Sequence, residues 1–184
     1  MDLEKALRFI VEDFAESKVP YALIGGMALG AWGIVRSTMD LDFLVLREDR
    51  GRVERVMLDR LYRLVHASED VSQYASDLKP LGSVDFIHAF RAMARAIIAR
   101  AAEVAVFGGA LTVRVALPED IIGLKVQAMH NDPGRAERER SDIRLLLERH
   151  RDRLDWALLG DYFELFSDDA AVRQLRSELD AFER

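Results

Sequence analysis

Apolar positions set the first element. Leu3, Leu7, Ile10, Val11 and Phe14 recur at helical spacing, which predicts an amphipathic helix over residues 2–17, closed by Pro20. Tyr21–Ile24 is a short apolar run and reads as a buried strand. Gly25-Gly26 breaks it, and small residues carry a helix from 26 to about 35. Asp40–Leu46 reads as a second strand, residues 47–52 as a charged turn, and 53 to about 64 as a helix. Residues 68–82 are polar and weakly patterned, which predicts loop with one short strand. Residues 83–88 alternate, with Val84 and Phe86 on one face and Asp85 and Ile87 on the other. A helix over 90–100 follows. Apolar runs at 104–107 and 111–115 then flank Gly108-Gly109, a hairpin signal.

From Pro118 the pattern turns wholly helical. Proline and the acids Glu119 and Asp120 suit a first helical turn, and that helix should run to about 130. Residues 131–134 form a turn, a long charged helix reaches about 151, and two more helices follow. In the last, Val172, Leu175, Leu179 and Phe182 make one apolar stripe. The shift divides the chain into an α/β part, 1–117, and a C-terminal helical segment, 118–184. Half of the 184 residues are hydrophobic, enough for a real core, and the net charge of −6 argues against a surface that coats nucleic acid. With no cysteine, disulfides and thiolate metal sites are excluded. No apolar run approaches the roughly 20 residues that span a bilayer. The acidic N-terminal stretch does not read as a signal peptide, so the expectation is a cytoplasmic protein with no membrane partner.

The chemistry concentrates between residues 25 and 46. Asp40 and Asp42 are two apart in a strand, so they share a face, and apolar Leu41 and Phe43–Leu46 argue against a strand that is merely solvated. Two carboxylates on one face repel unless a cation lies between them, which points to a divalent metal held by oxygen ligands. Gly25-Gly26 at a strand-to-helix turn lets backbone approach a phosphate at a helix N-terminus. Asp85, on its own strand, supplies a third acid, either as metal ligand or as general base. Lys125 sits in the apolar stripe of Ile121, Ile122, Ala128 and Met129; it can pair with Asp142 on the next helix, contact a phosphate, or do both. Arg36 could reach a phosphate or cap the short helix, and Thr38 could hydrogen-bond the loop. His66, His88, His130 and His150 lack metal-ligand spacing, and Trp32 reads as core. The mixed-sign Arg/Glu run over 135–153 reads as a solvated helix, with an RNA-facing edge as the lesser alternative.

Together these residues resemble the nucleotidyltransferase superfamily, most nearly the branch of minimal nucleotidyltransferases and AbiEii-like toxins of type IV toxin–antitoxin systems. The first motif is a double glycine followed by Arg-x-Thr-x-Asp-x-Asp, here Gly25-Gly26 and Arg36-Ser37-Thr38-Met39-Asp40-Leu41-Asp42. A lysine-bearing helix motif matches residues 118–128, and an Arg/Asp-rich helix matches Arg138 to Leu146. The resemblance covers roughly residues 20–148. It implies a mixed sheet flanked by helices, with Asp40, Asp42 and Asp85 as catalytic ligands of Mg²⁺ or Mn²⁺. It also implies triphosphate contacts from Gly25, Gly26 and Lys125. Arg36, Thr38 and Asp142 complete the nucleotide-binding set. The activity implied is transfer of a nucleoside monophosphate from an NTP to a hydroxyl of RNA, protein or a small molecule. An antitoxin partner goes with the toxin branch. Met27 replaces a serine common after the glycines, Glu139 stands where toxin relatives often carry aspartate, and the chain is shorter than many of them. Those departures motivate an alternative, a nucleotide-binding module with weak or no catalysis that acts through a protein partner.

Overall fold

A computed structural model describes residues 2–78, 80–167 and 169–183, the side chains of 171 and 179–183 aside. The chain divides into two compact units, residues 1–117 and 118–184.

The first unit is a seven-stranded mixed sheet with helices around it. Its elements are α1 (Leu3–Glu16), β1 (Tyr21–Ile24), α2 (Gly25–Ala31), β2 (Asp40–Leu46), α3 (Arg50–Asp59), β3 (Arg63–Ala67), β4 (Val71–Ala75), β5 (Ser83–Ala89), α4 (Ala92–Arg100), β6 (Ala102–Val106) and β7 (Leu111–Val115). The strand order is β3-β4-β5-β2-β1-β7-β6. β2 runs antiparallel to β1 and parallel to β5, while β7 runs parallel to β1. A mixed sheet flanked by helices is the expected fold class.

Alternation along the central strands builds the core. Phe43 and Phe86 stack at 5.6 Å, and Phe14 of α1 meets both rings and Tyr21. All four side chains are buried, so α1 covers this face. Ala22 and Leu44, equally buried, occupy the alternate positions, and α2 and α4 also pack against β1 and β2. β1 and β2 are therefore apolar on both faces apart from the acids at the start of β2.

The larger differences from the sequence reading lie around the first short helix and between residues 59 and 75. The first short helix begins at Gly25 and stops at Ala31 rather than near 35. Gly33 takes φ +83°, and the amides of Gly33 and Ile34 donate to Gly30 and Leu29 carbonyls, a left-handed helix stop. α3 ends at Asp59 rather than near 64. The same stop is built there on Leu61, at φ +62°, with the Leu61 and Tyr62 amides donating to Leu58 and Met57 carbonyls. Leu58, Leu61 and Leu64, apolar residues of the stretch read as helix, are all exposed. β3 occupies the region read as the helix end, and β4 is the short strand expected within 68–82; the two are joined at Ser68-Glu69-Asp70. Trp32 is only half-buried and donates through Nε1 to the Ala116 carbonyl.

The second unit contains α5 (Pro118–Asn131), α6 (Ala136–His150), α7 (Trp156–Glu164) and α8 (Ala170–Glu183). Asp120 is fully buried and accepts from the Tyr162 hydroxyl, while Glu119 accepts from the Asp155 amide. Gly123 of α5 lies flat against the Tyr162 ring, where a Cβ would come within 2.5 Å of ring carbons. Val172 and Leu175 of the terminal stripe are buried; Leu179 and Phe182 lie outside the described side chains. No helix among the described residues is long and apolar enough to cross a membrane.

Candidate active site

Strand register brings the three acids together. β2 and β5 run parallel with Asp42 opposite Asp85 and Asp40 opposite Ser83. Register partners in neighbouring strands point to the same face, and strands lie about 4.8 Å apart. Asp40, Asp42 and Asp85 therefore occupy adjoining positions on one face. Asp40 is exposed, and Asp42 and Asp85 are half-buried. The residues between them, Leu41, Val84 and Phe86, point into the core and fix the strands against slippage, because a one-residue slip would bury the acids.

Two neutral donors flank the acids. Ser83 donates through Oγ to Asp40 Oδ1 at 2.7 Å. Gln73, opposite Asp85 on β4, donates through Nε2 to Asp85 Oδ2 at 3.1 Å. Burial pushes the Asp85 carboxyl above the ordinary aspartate range and the charge of Asp40 adds to this, while the Gln73 hydrogen bond pulls the other way.

The glycine bend packs directly on this row. Gly25 follows β1 with φ +65°, and a Cβ there would fall 2.0 Å from Asp42 Oδ2. A Cβ on Gly26 would fall 2.7 Å from Thr38 Oγ1. Both glycines are thus required by the close approach of side chains from the Asp-bearing segment. Thr38 Oγ1 in turn donates to the Asp40 carbonyl at 3.2 Å, tying the loop to the start of β2. Arg36 lies half-buried in the loop that leads to it. Val35 and Met39 of the same loop are exposed.

In the helical unit, Lys125 is 12 % exposed and donates to two carboxylates, Asp142 Oδ2 at 2.6 Å and Glu139 Oε2 at 2.7 Å. Glu139 also accepts from Arg135 at 2.8 Å. Asp142 is the partner expected from helix spacing; Glu139 is an additional one. Glu139 is three residues before Asp142, so both reach the same neighbour from one helix face. Removing the lysine would withdraw the cation that two buried acids share, and breaking a buried pair in this way costs about 3–5 kcal/mol in comparable cases.

Among the described residues, no three His, Cys, Asp or Glu side chains converge as a ready-made metal cage. The acids are aligned in register, with Asp40 and Asp85 each bonded to its own neutral donor. The donor set nonetheless fits a hard divalent cation. It offers carboxylate oxygens only, and positive charge would offset both the burial of Asp85 and its repulsion from Asp40. His88, the histidine nearest in sequence to Asp85, is buried in a separate network with Ser72 and the Glu69 carbonyl. A cavity of about 700 Å³ lined by Val11, Phe14, Lys18, Tyr21, Glu103 and Arg114 opens beside the start of β1, whereas the glycine bend follows that strand's end.

No protein-family model and no curated protein matches the chain. Solved structures do. ANT(2'')-Ia, in complex with adenylyl-2''-tobramycin, superposes with a TM-score of 0.67 at 18 % identity, covering 88 % of this chain and 97 % of that one. The lincosamide antibiotic adenylyltransferase LnuA, lincomycin-bound, gives 0.56 at 18 % identity over 78 % of this chain and 95 % of its own. An antigenic nucleotidyltransferase-like protein from Paracoccidioides brasiliensis gives 0.55 at 15 % identity over 97 % and 87 %. At these identities the likeness establishes a shared architecture. The chain has the nucleotidyltransferase fold.

Proposed function

We propose that this protein is a metal-dependent nucleotidyltransferase that moves a nucleoside monophosphate from an NTP to a hydroxyl of a small molecule and releases pyrophosphate. One observation carries the reading. Asp42 and Asp85 face each other in register, with Asp40 beside them and Gly25 pressed against Asp42, within a nucleotidyltransferase fold.

Asp40, Asp42 and Asp85 are the residues that would hold Mg²⁺ or Mn²⁺. When bound, the ion supplies positive charge to the triphosphate oxygens. Gly25 and Gly26 let the N-terminal amides of α2 approach a phosphate, an approach any side chain at Gly25 would obstruct through Asp42. Arg36 and Thr38 border that bend, Thr38 by holding the loop and Arg36 as a cation for phosphate oxygens. Lys125 has two of its three N–H groups directed to Asp142 and Glu139, which leaves one for a phosphate oxygen. Asp85 takes the proton of the acceptor hydroxyl as its oxygen bonds to the α-phosphorus. The bond from the α-phosphorus to the bridging oxygen then breaks, and pyrophosphate departs. The raised affinity of Asp85 for a proton suits that role.

A small-molecule acceptor is favoured because two structures that share this fold are an antibiotic adenylyltransferase and an enzyme holding an adenylylated aminoglycoside. The toxin branch, its antitoxin partner and an RNA or protein acceptor rest on motif resemblance alone. Incubation with each α-labelled NTP, Mg²⁺ and a panel of aminoglycosides, lincosamides, tRNA and carrier protein tests the assignment. Label should appear on a small molecule with equimolar pyrophosphate. Label on tRNA or protein would reject the small-molecule acceptor, and absence of pyrophosphate with every combination would reject the activity.

A further inference from the structure

We infer that Gln73 is a positioning residue of the carboxylate centre, holding one oxygen of Asp85 so that the other is presented to a divalent cation. The inference rests on the proposed metal-dependent reading and extends it to a residue on a different hairpin. Gln73 lies opposite Asp85 across the β4–β5 ladder, and Asp85 lies opposite Asp42 across the next, so the three form one transverse row. The row is repeated one step along the sheet, where Ser83 lies opposite Asp40 and donates to its Oδ1. Each outer acid is thus held through one oxygen by a neutral donor.

Neutrality is the point of the arrangement. An arginine or lysine in place of Gln73 would orient Asp85 equally well but would cancel the charge that a cation needs. An amide fixes the carboxylate rotamer and leaves its charge in place. The amide is exposed, so water competes for its hydrogen bond and its share of global stability is small. Its effect should therefore register at the site and not in folding.

Mn²⁺ binding to the purified protein, read by the loss of the free-ion electron paramagnetic resonance signal, separates the possibilities. Gln73→Leu should weaken Mn²⁺ binding about threefold to tenfold, the value of one ordinary hydrogen bond in competition with water, with an unchanged thermal midpoint. Gln73→Lys should weaken it further, and added salt should restore part of that extra loss. In transfer assays at saturating NTP, Gln73→Leu should recover its rate as Mn²⁺ is raised. If Gln73→Leu unfolds, Gln73→Asn, which keeps the amide but shortens its reach, replaces it and should also weaken binding. Wild-type Mn²⁺ affinity in both Gln73→Leu and Gln73→Lys overturns the positioning role. Asp42→Asn distinguishes that failure from failure of the metal reading itself. If Asp42→Asn abolishes binding while both Gln73 variants retain it, only the positioning role falls. If Asp42→Asn binds as wild type does, the cation centre and the inference fall together.

Discussion

At Gly25 a single hydrogen in place of a side chain decides whether Asp42 keeps its position. The missing Cβ would occupy the space of the Asp42 carboxylate, and the backbone there is left-handed. Gly25→Ala should therefore cost about 1–2 kcal/mol for the backbone alone, displace Asp42, and lower transfer at least tenfold. Gly26→Ala meets Thr38 Oγ1 and Cβ and so presses on the loop, but it carries no left-handed backbone penalty and meets no acid; it should be milder on both counts, a ranking that thermal denaturation and initial rates can check. Sequence spacing alone puts Asp40 and Asp42 on one face. The steric reason for the double glycine is not in the spacing, because the atoms that forbid a side chain lie at positions 38 and 42. Gln73 is similarly invisible in sequence, a neutral residue in a weakly patterned stretch, and Ser83, although it opens an alternating segment, carries no charge to mark it. Glu139 is legible in type but not in role, since only the helix pairing shows it meeting Lys125.

Among the elements, the β3–β4 hairpin depends most on long-range contacts. Its first strand carries no alternation, since every residue of β3 is exposed and its pairing is interrupted between Leu64 and His66, and β4 alternates only over five residues. The helix before it ends on Leu61 where glycine is usual, so the ordinary stop signal is missing. The hairpin is anchored instead by His88 of β5. The Glu69 carbonyl can only accept, so His88 Nδ1 donates to it at 3.1 Å, and Nε2 accepts from the Ser72 hydroxyl at 3.0 Å. Burial foremost, with the nearby Arg50 and Arg47 charges, holds the His88 pKa below its ordinary value, so the native state favours the neutral ring. The unfolded chain then binds more protons than the folded one below the unfolded pKa of about 6.5. Stability from this residue should be complete above that pH and fall as pH drops toward the lowered folded value. Thermal midpoints from pH 8 to pH 5 should decline more steeply for the wild type than for His88→Gln below pH 6.5. Parallel declines would show that His88 is not the titrating group.

For the whole molecule, the sheet order is what turns three separated residues into one candidate centre. Asp85 is 43 positions from its neighbour across the ladder, Asp42, and no local pattern announces that pairing. Hydrophobic patterning located most helices and the central strands, and motif order pointed to the fold that ANT(2'')-Ia and LnuA share. Register, which sets the chemistry, comes from the buried residues between the acids. The proposed transfer requires the three carboxylates to act as one unit. The most direct measurement is transfer of label from an α-labelled NTP by Asp40→Asn, Asp42→Asn and Asp85→Asn, each compared with wild type under the same Mg²⁺ and acceptor. Each single change should lower the rate at least about a hundredfold, with no comparable loss of folding. A near-wild-type rate in Asp85→Asn, beside an inactive Asp42→Asn, would contradict a shared centre.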